Sequence, residues 1–259
     1  LTADVASRAE VYGGKALVFD GVSDYLDCGS QESTWKNVSA LSISAWIYID
    51  AHKSMNGVIG KHQSDNESAG ISIISNTFLF YISNGGESRG NCTPPSIGGW
   101  HHIACVFNGS GTGNDGRMQV YFNGSLQSLS FTGTIPATTS NNSTYGTNSV
   151  TIGDYQGSNK FNGKISDVKV YSSALTEAEV QSQYLKPESV PSPSSLVAWY
   201  PMIESNPESS QSIVYDHSEK KLGSEKVADS ELNQELDFGE DNNFWKIDDD
   251  IKITGGQVV

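Results

Sequence analysis

Two aspartates stand in stretches whose pattern predicts β-strands. Asp167 lies within residues 161–175 (FNGKISDVKVYSSAL), where apolar and polar side chains alternate from 168 to 171. Asp20 closes the apolar run at residues 17–19 (LVF). Aspartate is depleted in strands, and burying its charge is costly unless a partner compensates it. Each carboxylate is therefore expected either to accept hydrogen bonds from the backbone N–H groups of a turn or to meet a cation.

The adjacent residues His101 and His102 are a weaker candidate for metal binding. Neighbouring residues in a strand point to opposite faces of the sheet, so the pair cannot chelate one ion. A zinc site is therefore not predicted. Trp100, beside them, is interpreted as a core anchor rather than a platform for a sugar.

Composition restricts the partners of this chain. It has 259 residues and a formal net charge of -14 at pH 7. Half of its 30 Asp and Glu residues, but only 5 of its 16 Lys and Arg residues, follow residue 187. Without a basic face for phosphates, nucleic acid is excluded as a partner and an anionic membrane surface is disfavoured. No apolar run approaches the roughly 20 residues that span a bilayer, so membrane insertion is not expected. The chain opens without Met and is interpreted as a piece of a longer or processed protein.

The three cysteines, Cys28, Cys92 and Cys105, cannot all pair within one chain. Cys105, in HHIACVF, is predicted to be a small apolar core residue. A disulfide between Cys28 and Cys92 is left open.

Alternation predicts β-structure along most of the chain. In ALSISAWIYID (40–50) the odd-numbered residues from Leu41 to Ile49 share one face. GISIISNTFLFYIS predicts a hairpin around Ser75 and Asn76. Further strands are predicted in WHHIACVFNG, RMQVYFNGSLQSL, SVTIGDY and KISDVKVY. Strands that recur about every 8–15 residues, with turn residues between them, are typical of an antiparallel sandwich or jelly roll, so the predicted fold class is all-β.

One short helix is predicted in SALTEAEVQSQYL, where Thr176 and Glu179 form a capping box. The first domain is expected to span residues 1–185. A stiff Pro/Ser-rich linker follows at 186–195. The acidic segment 196–259 is expected to begin further β modules.

Seven stretches occur in one order with natural spacing: LVFDGVSDYLDCG, LSISAWIYID, GVIGK, WHHIACVFNG, VYFNG, TIGD and FNGKISDVKVYSSALTEAEV. Together they resemble a laminin G-like domain of the concanavalin A-like lectin/glucanase superfamily. The resemblance implies a jelly roll of two antiparallel sheets, one concave and one convex. After the linker, SLVAWYPMIE resembles the opening segment of such a domain, and NNFWKIDDDIKITGGQVV resembles the beginning of a galactose-binding-like sandwich. This mixture implies a multi-module protein of a secreted bacterial or phage type.

The resemblance also implies a calcium site. In this fold the first and last strands lie side by side, which would bring Asp20 and Asp167 together. Two unpaired carboxylates repel each other, and Ca²⁺, with its 6–8 oxygen ligands, would relieve the repulsion. Many laminin G-like domains hold a structural calcium at such a site, so Asp20 and Asp167 are the expected side-chain ligands. Gly21 is the candidate carbonyl donor, and Asp24 is the reserve ligand.

Sugar sites combine an aromatic platform with a few polar groups. The candidate ligand-binding residues are Trp35, Tyr81, Asn84, Arg89 and Tyr155. The alternative for each is an ordinary side chain of the sandwich or of a loop.

Catalysis is not predicted. Glucanases share this fold and carry Glu-x-Asp-x-Glu, or a close variant, on one strand, because glycoside hydrolysis uses a pair of carboxylates. No strand in residues 1–187 carries that pattern, and the two glutamates of ELNQE (231–235) fall in the acidic tail. No Ser-His-Asp arrangement or phosphate-binding loop stands out.

The sequence therefore predicts a non-enzymatic, lectin-like module that binds a glycan or host-surface polysaccharide. Its expected location is extracellular or on a virion surface, as part of a phage particle or a secreted structure. A second hypothesis is a structural or decoration subunit that contacts neighbouring protein chains, including copies of itself. A third is an accessory carbohydrate-binding module of a polysaccharide-degrading enzyme.

Overall fold

The computed structural model describes residues 16–51, 55–155, 157, 159–202 and 213–218, together with the backbone of residues 225–227, 253–254 and 257–258. Within this part of the chain, two antiparallel sheets pack face to face as a sandwich. The predicted all-β jelly-roll class is confirmed.

The first sheet, sheet A, contains seven strands, numbered here in chain order. In spatial order they are β1 (Leu17–Asp20), β13 (Asn162–Tyr171), β3 (Ala40–Ile49), β8 (Trp100–Asn108), β9 (Met118–Phe122) and β10 (Ser125–Leu126), with β14 (Leu196–Tyr200) also paired to β13.

The second sheet, sheet B, contains nine strands. In spatial order they are β11 (Ser130–Thr132), β7 (Arg89–Cys92), β6 (Thr77–Asn84), β5 (Glu67–Ile74), β4 (Met55–Ser64), β12 (Val150–Ile152), β2 (Leu26–Asp27), β16 (Glu225–Val227) and β15 (Ile213–Val214). A separate pair is formed by β17 (Ile253–Thr254) and β18 (Gln257–Val258).

Alternation along the strands builds the core between the two sheets. The odd-numbered residues of β3, from Leu41 to Ile49, are completely buried, as predicted, and they face buried side chains of sheet B such as Ile71 and Phe80. Removing such aliphatic and aromatic side chains from water stabilises the fold by about 1.5–3 kcal/mol each. Cys105 is one of these core residues, so its predicted role is confirmed.

The predicted hairpin and helix both form. Ser75 and Asn76 connect β5 to β6 with φ of 46° and 63°, the left-handed conformation that a two-residue hairpin turn requires. The part of the chain that the structure describes contains four short helices, α1 (Glu32–Trp35), α2 (Gly113–Arg117), α3 (Ser143–Thr147) and α4 (Glu177–Leu185), and a 3₁₀ turn at Pro193–Ser195. Thr176 and Glu179 form the capping box at the start of α4. This helix is the longest one described and has nine residues, so no helix in the described ranges has the length to span a bilayer.

Strand β14 changes the predicted domain organisation. Residues 196–200 are expected from sequence to open another module, but they pair with residues 168–171 of β13. Strand β1 pairs with residues 162–165 of the same β13 edge, so β1 and β14 share that edge end to end. Leu196, Val197, Ala198 and Tyr200 are buried there. The prediction is therefore wrong for this segment, because its apolar residues complete the first sandwich. Most of residues 219–259 lie outside the described residues.

The open question of a disulfide is settled by topology. Cys28 directly follows β2, whereas Cys92 ends β7, and sheet B places β12, β4, β5 and β6 between these strands. Adjacent strands are spaced about 4.8 Å apart, so the two cysteines are far beyond bonding distance. All three cysteines are free thiols.

Candidate functional site

The predicted calcium pair does not come together. Strands β1 and β13 are neighbours, as expected, but their register places Asp20 opposite Asn162. Asp167 lies five residues further along β13, and at about 3.4 Å per residue the two aspartates are roughly 17 Å apart. The prediction that Asp20 and Asp167 share one ion is therefore wrong.

Asp20 caps the turn that follows β1. Its Oδ1 accepts hydrogen bonds from the backbone N–H groups of Val22 (2.6 Å) and Ser23 (2.9 Å). Slight burial acts to raise the pKa of Asp20, but the backbone donors of Ser23, Val22 and Asp24 together outweigh it and hold the pKa below the usual value. Gly21, with φ of 71°, allows the turn. The backbone-capping alternative therefore explains this aspartate.

Asp167 is neutralised by a buried ammonium group. Its Oδ2 lies 2.5 Å from Nζ of Lys169, and its Oδ1 accepts a hydrogen bond from Nε1 of Trp199 at 2.7 Å. Lys169 also donates to the carbonyl of Pro187 at 2.7 Å, and its Nζ lies 5.2 Å from the centroid of the Trp199 ring. An irregularity in the β13–β3 register, with φ of 51° at Asp167, brings these groups together. The carboxylate inside this strand is thus compensated by an ion pair that we call the 167–169 pair.

These contacts do not fit the implied calcium. Both oxygens of Asp167 are used by N–H donors, and the Lys169 ammonium occupies the adjacent space. Among the described residues there is no group of three or more His, Cys, Asp or Glu side chains that could hold a metal ion. Calcium binding stays a prediction for this domain, without Asp20 and Asp167 as a shared ligand pair.

Trp35 and Asn84, two of the predicted ligand residues, serve other purposes. Trp35 in α1 has no exposed surface, and its Nε1 donates to the side chain of Gln31 at 3.3 Å. A completely buried ring cannot contact a ligand, so that prediction is wrong for Trp35. Asn84 ends β6, and its amide donates to Thr138 at 3.3–3.4 Å.

Tyr81, Arg89 and Tyr155 do come together, on the outer face of sheet B. The rings of Tyr81 and Tyr155 stack with centroids 5.2 Å apart, and the Arg89 guanidinium lies 5.6 Å from the Tyr81 centroid. The His62 ring makes an edge-on contact with the Tyr155 ring, with the centroids 5.0 Å apart. Tyr155 is only 1% exposed and Tyr81 only 4%. Three of the predicted ligand residues are therefore neighbours. The Tyr155 ring, however, is too buried to act as a sugar platform and instead packs against Tyr81 and His62.

Two glycines in β4 let the loop of residues 153–160 pack onto this face. A Cβ at Gly57 would lie 2.2 Å from the backbone nitrogen of Tyr155, and one at Gly60 would lie 3.1 Å from the Tyr155 ring. Because contacts below 3.0 Å are not tolerated, glycine at position 57 is required for the loop to dock.

Beside this loop, a cleft of about 470 Å³ opens on the outer face of sheet B. Its lining comes from β2, β4, β12 and three connecting segments, before β2, before β12 and between β12 and β13. The lining residues are Tyr25, Asp27, His62, Gln63, Asn148, Ser149, Thr151, Asp154, Gly157 and Lys160. We call this the Tyr25 cleft.

Charge and aromatic contacts organise the Tyr25 cleft. Lys160 places its Nζ 3.6 Å from the centroid of the Tyr25 ring and 3.2 Å from Oδ2 of Asp154. Asp154 is almost completely buried, and its Oδ1 accepts the backbone N–H of Asn159 at 3.0 Å. Burial lowers the pKa of His62, although Asp65 partly opposes this, so the imidazole is neutral at pH 7.

Lys61 holds the opposite wall of the cleft. Its completely buried ammonium donates to the backbone carbonyls of Asn148 (2.5 Å), Gly146 (2.9 Å) and Ser30. The Asn148 amide in turn donates to the carbonyl of His62 at 2.8 Å. These bonds fix Asn148 relative to β4 and so give the cleft a rigid wall.

Sequence reasoning selected Tyr155 from the IGDYQG stretch but missed the neighbouring Asp154 and the nearby Lys160. It also missed Tyr25 and Asp27, which lie in the SDYLDCG stretch. No spacing along the chain relates these residues, because the two stretches meet only through the pairing of β2 with β12. Their shared signal is limited to a tyrosine and aspartates flanking short strands.

The cleft thus offers one partly exposed aromatic ring surrounded by hydrogen-bonding groups. Asp27 pairs in register with Thr151, so both project from neighbouring strands on the same face. Carboxylates, amides and hydroxyls around an aromatic face can bind a polyhydroxylated ligand.

Comparisons with solved structures agree with this fold. A proposed carbohydrate-binding protein of Bacteroides ovatus has 17% identity and a TM-score of 0.53, and the match covers 82% of this chain and 58% of that one. The CBM40 of the IT-sialidase of Ruminococcus gnavus has 14% identity and a TM-score of 0.50, covering 65% of this chain and 95% of that one. At these identities the likeness shows the fold alone. A comparison with curated protein sequences finds no significant match.

The Laminin_G_3 family model, described as the concanavalin A-like lectin/glucanases superfamily, matches residues 20–181. This range contains six of the seven sequence stretches that carry the resemblance, the remaining one from Asp20 onward, and most of both sheets. The chain belongs to the concanavalin A-like lectin/glucanase superfamily.

Proposed function

We propose that this domain is a non-enzymatic glycan-binding module and that the Tyr25 cleft is its binding site. The observation that carries the proposal is the arrangement of Tyr25, Lys160 and Asp154. Lys160 covers part of the Tyr25 ring and is itself fixed by the buried Asp154 carboxylate. A ring held in this way loses little conformational freedom on binding, which favours affinity for a weakly binding sugar.

Two similarly folded proteins support a carbohydrate ligand. One is described as a proposed carbohydrate-binding protein and the other is a carbohydrate-binding module of a sialidase. Their sequences are too distant to transfer a ligand or a binding residue. The support from them is limited to the suitability of this sandwich for glycan binding.

The contacts of the two cleft carboxylates favour binding over hydrolysis. Glycoside hydrolysis needs one carboxyl group that is free to donate a proton and a second that attacks or activates water. Asp154 is paired with Lys160 and with the N–H of Asn159, and Asp27 accepts the N–H of Gly29 at 2.9 Å. Asp154 is therefore held by two donors and Asp27 by one, so the two carboxylates are not arranged as a free acid and base pair on either side of a glycosidic bond.

The setting of the module is also part of this proposal. An extracellular position, on a secreted structure or a virion, would let the module attach its carrier to a host glycan. The same cleft would serve an accessory module of a polysaccharide-degrading enzyme. In the decoration-subunit hypothesis, protein contacts would replace the glycan. Calcium, if bound, would come from other ligands than a shared Asp20–Asp167 pair, and titration with and without EDTA tests that part.

The test is a glycan array followed by calorimetry with the best ligand. Tyr25→Ala is expected to weaken binding about tenfold, because it removes the exposed ring. Tyr48→Ala is the matched control: Tyr48 lies on the outer face of sheet A and also has a lysine, Lys164, with its Nζ 4.8 Å from the ring centroid.

The two variants separate the site from general effects of losing a surface tyrosine. Loss of binding in Tyr25→Ala alone supports the proposal. Loss in Tyr48→Ala alone would move the site to sheet A. An array without any bound glycan, together with concentration-dependent self-association, would favour the decoration-subunit hypothesis instead.

A further inference from the structure

We infer that the Tyr25 cleft selects neutral, hydroxyl-rich sugars and rejects sugars that carry a carboxylate. This inference rests on the proposed function and names the class of ligand. It follows from the number of charged side chains that line the cleft and from the ion pairs and hydrogen bonds that each of them forms.

Lys160 is the only Lys or Arg among the described residues that line the cleft. Its ammonium is 3.2 Å from the Asp154 carboxylate and lies over the Tyr25 ring. An acidic sugar would have to compete with Asp154 for this cation. Asp154 is fixed by the N–H of Asn159 and is almost completely buried, so it cannot move away to make room.

Neutral His62 adds no second positive charge. Its ring nitrogen Nε2 lies 3.6 Å from Asp65, whose carboxylate would form an ion pair with the imidazolium if His62 were protonated. Among the described side chains that line the cleft, the two carboxylates of Asp27 and Asp154 outnumber the single ammonium of Lys160. The Lys61 ammonium behind the wall is engaged by three backbone carbonyls. A carboxylate placed beside Tyr25 would meet repulsion at short range, where partial burial limits screening by water and salt.

The same groups suit a neutral sugar. Asp27 uses Oδ1 for one backbone N–H, so its carboxylate retains the capacity to accept hydrogen bonds from sugar hydroxyls. Charge-assisted bonds of this kind are shorter and stronger than bonds between neutral groups. Thr151, in register beside Asp27, and Asn148 on the opposite wall complete a polar rim around the ring.

The experiment compares matched pairs of glycans that differ only in an acidic group, namely glucose oligomers with glucuronic-acid oligomers and galactose oligomers with galacturonic-acid oligomers of the same length and linkage. Calorimetry at pH 7 is expected to give at least about tenfold weaker binding for the acidic member of each pair. The affinity for the neutral member should be the same, within experimental error, at about 50 and about 500 mM NaCl. A neutral sugar has no charge–charge interaction with the cleft that salt could screen.

Two variants test the role of Asp27. Asp27→Asn should weaken neutral binding and narrow the difference between the two classes, because it removes both the strong acceptor and the repulsion. Asp50→Asn, which changes an exposed carboxylate at the end of β3 in the other sheet, is the control and should change neither.

The outcomes distinguish this inference from the proposed function. Tighter or equal binding of the acidic sugars, with loss of binding in Tyr25→Ala, would overturn the inference and leave the glycan site in place. Absence of binding to every neutral and acidic glycan would overturn both. Preference for neutral sugars that Asp27→Asn reduces is the result we expect.

Discussion

Replacing Lys169 tests the explanation of the buried aspartate. Lys169→Met removes the ammonium but keeps an unbranched side chain that is one atom shorter, and it leaves the Asp167 carboxylate with only the N–H of Trp199. The exposed fraction of Asp167 is 4% and that of Lys169 is 1%, so water cannot replace the lost partner.

The expected loss in the free energy of unfolding is about 3–5 kcal/mol, the range for breaking a buried ion pair on one side. For a domain of 150–250 residues, each kcal/mol lowers the melting temperature by about 2–4 °C. Lys169→Met should therefore melt roughly 6–20 °C below the wild type. Urea unfolding followed by tryptophan fluorescence and by circular dichroism measures both values.

The double variant Asp167→Asn/Lys169→Met separates the pair from simple loss of packing. It leaves no buried charge, so it should recover at least half of the loss caused by Lys169→Met. Lys164→Met is the matched control, because Lys164 is on the same strand but only half-buried, and its change should be below about 1 kcal/mol.

The alternative explanation, that a metal ion compensates the Asp167 carboxylate, is tested by adding EDTA or Ca²⁺. If the site instead needs a metal, EDTA should destabilise the wild type, and millimolar Ca²⁺ should rescue Lys169→Met, since a ligand at 100 times its dissociation constant adds about 2.7 kcal/mol. Rescue of Lys169→Met by Ca²⁺, or a loss below about 1 kcal/mol in Lys169→Met, would refute the role assigned to the 167–169 pair. Destabilisation of the wild type by EDTA alone would instead indicate a calcium site elsewhere in the domain.

Two further predictions concern acid stability and the loop at the cleft. Burial, aided by the nearby Lys169, lowers the pKa of His102 from its usual 6.5 to about 3. The imidazole of His102 takes up a proton near pH 6.5 in the unfolded chain but not in the folded chain. The contribution of His102 to the free energy of unfolding is therefore fully present above pH 6.5 and falls by about 1.4 kcal/mol per pH unit as the pH drops toward 3. Urea unfolding from pH 7 to 4 should show a flatter pH dependence for His102→Gln; equally steep curves would contradict the assignment. Gly57→Ala should destabilise the domain by about 1–3 kcal/mol and abolish glycan binding, because its Cβ displaces the backbone that carries Asp154. Gly86→Ala, whose Cβ would enter open space, is the control, and unchanged glycan affinity in Gly57→Ala would contradict the docked-loop geometry.

The helix α4 also shields one face of sheet A, which explains why His102 is buried. Tyr184 of α4 stacks on Trp46 with ring centroids 6.0 Å apart, and the His102 ring lies 5.5 Å from Trp46. Alternation alone would place His102 and Trp46 on a solvent-facing side of β8 and β3. The helix covers that side and makes it a second buried layer. This burial is the main reason why the pKa of His102 is lowered.

Local patterns were sufficient for the individual elements. Alternation predicted β3 and its buried face, Ser75 and Asn76 predicted a hairpin, and the capping box at Thr176 predicted α4. These features depend on interactions between residues that are close in sequence, which is why they can be recognised without coordinates. Seven ordered stretches also predicted the fold family, which the family match confirms.

The sequence by itself determined the sandwich and posed the question of Asp167, while the tertiary structure supplied the answer. Residues 167 and 169 lie on one face of a strand, yet only the irregular β13–β3 register and the arrival of Trp199 on β14 make them a satisfied pair. The Tyr25 cleft likewise unites residues from distant segments through the pairing of β2, β12 and β4. Such juxtapositions depend on long-range register and on which segment occupies a free sheet edge, and neither is encoded in the local periodicity of a chain.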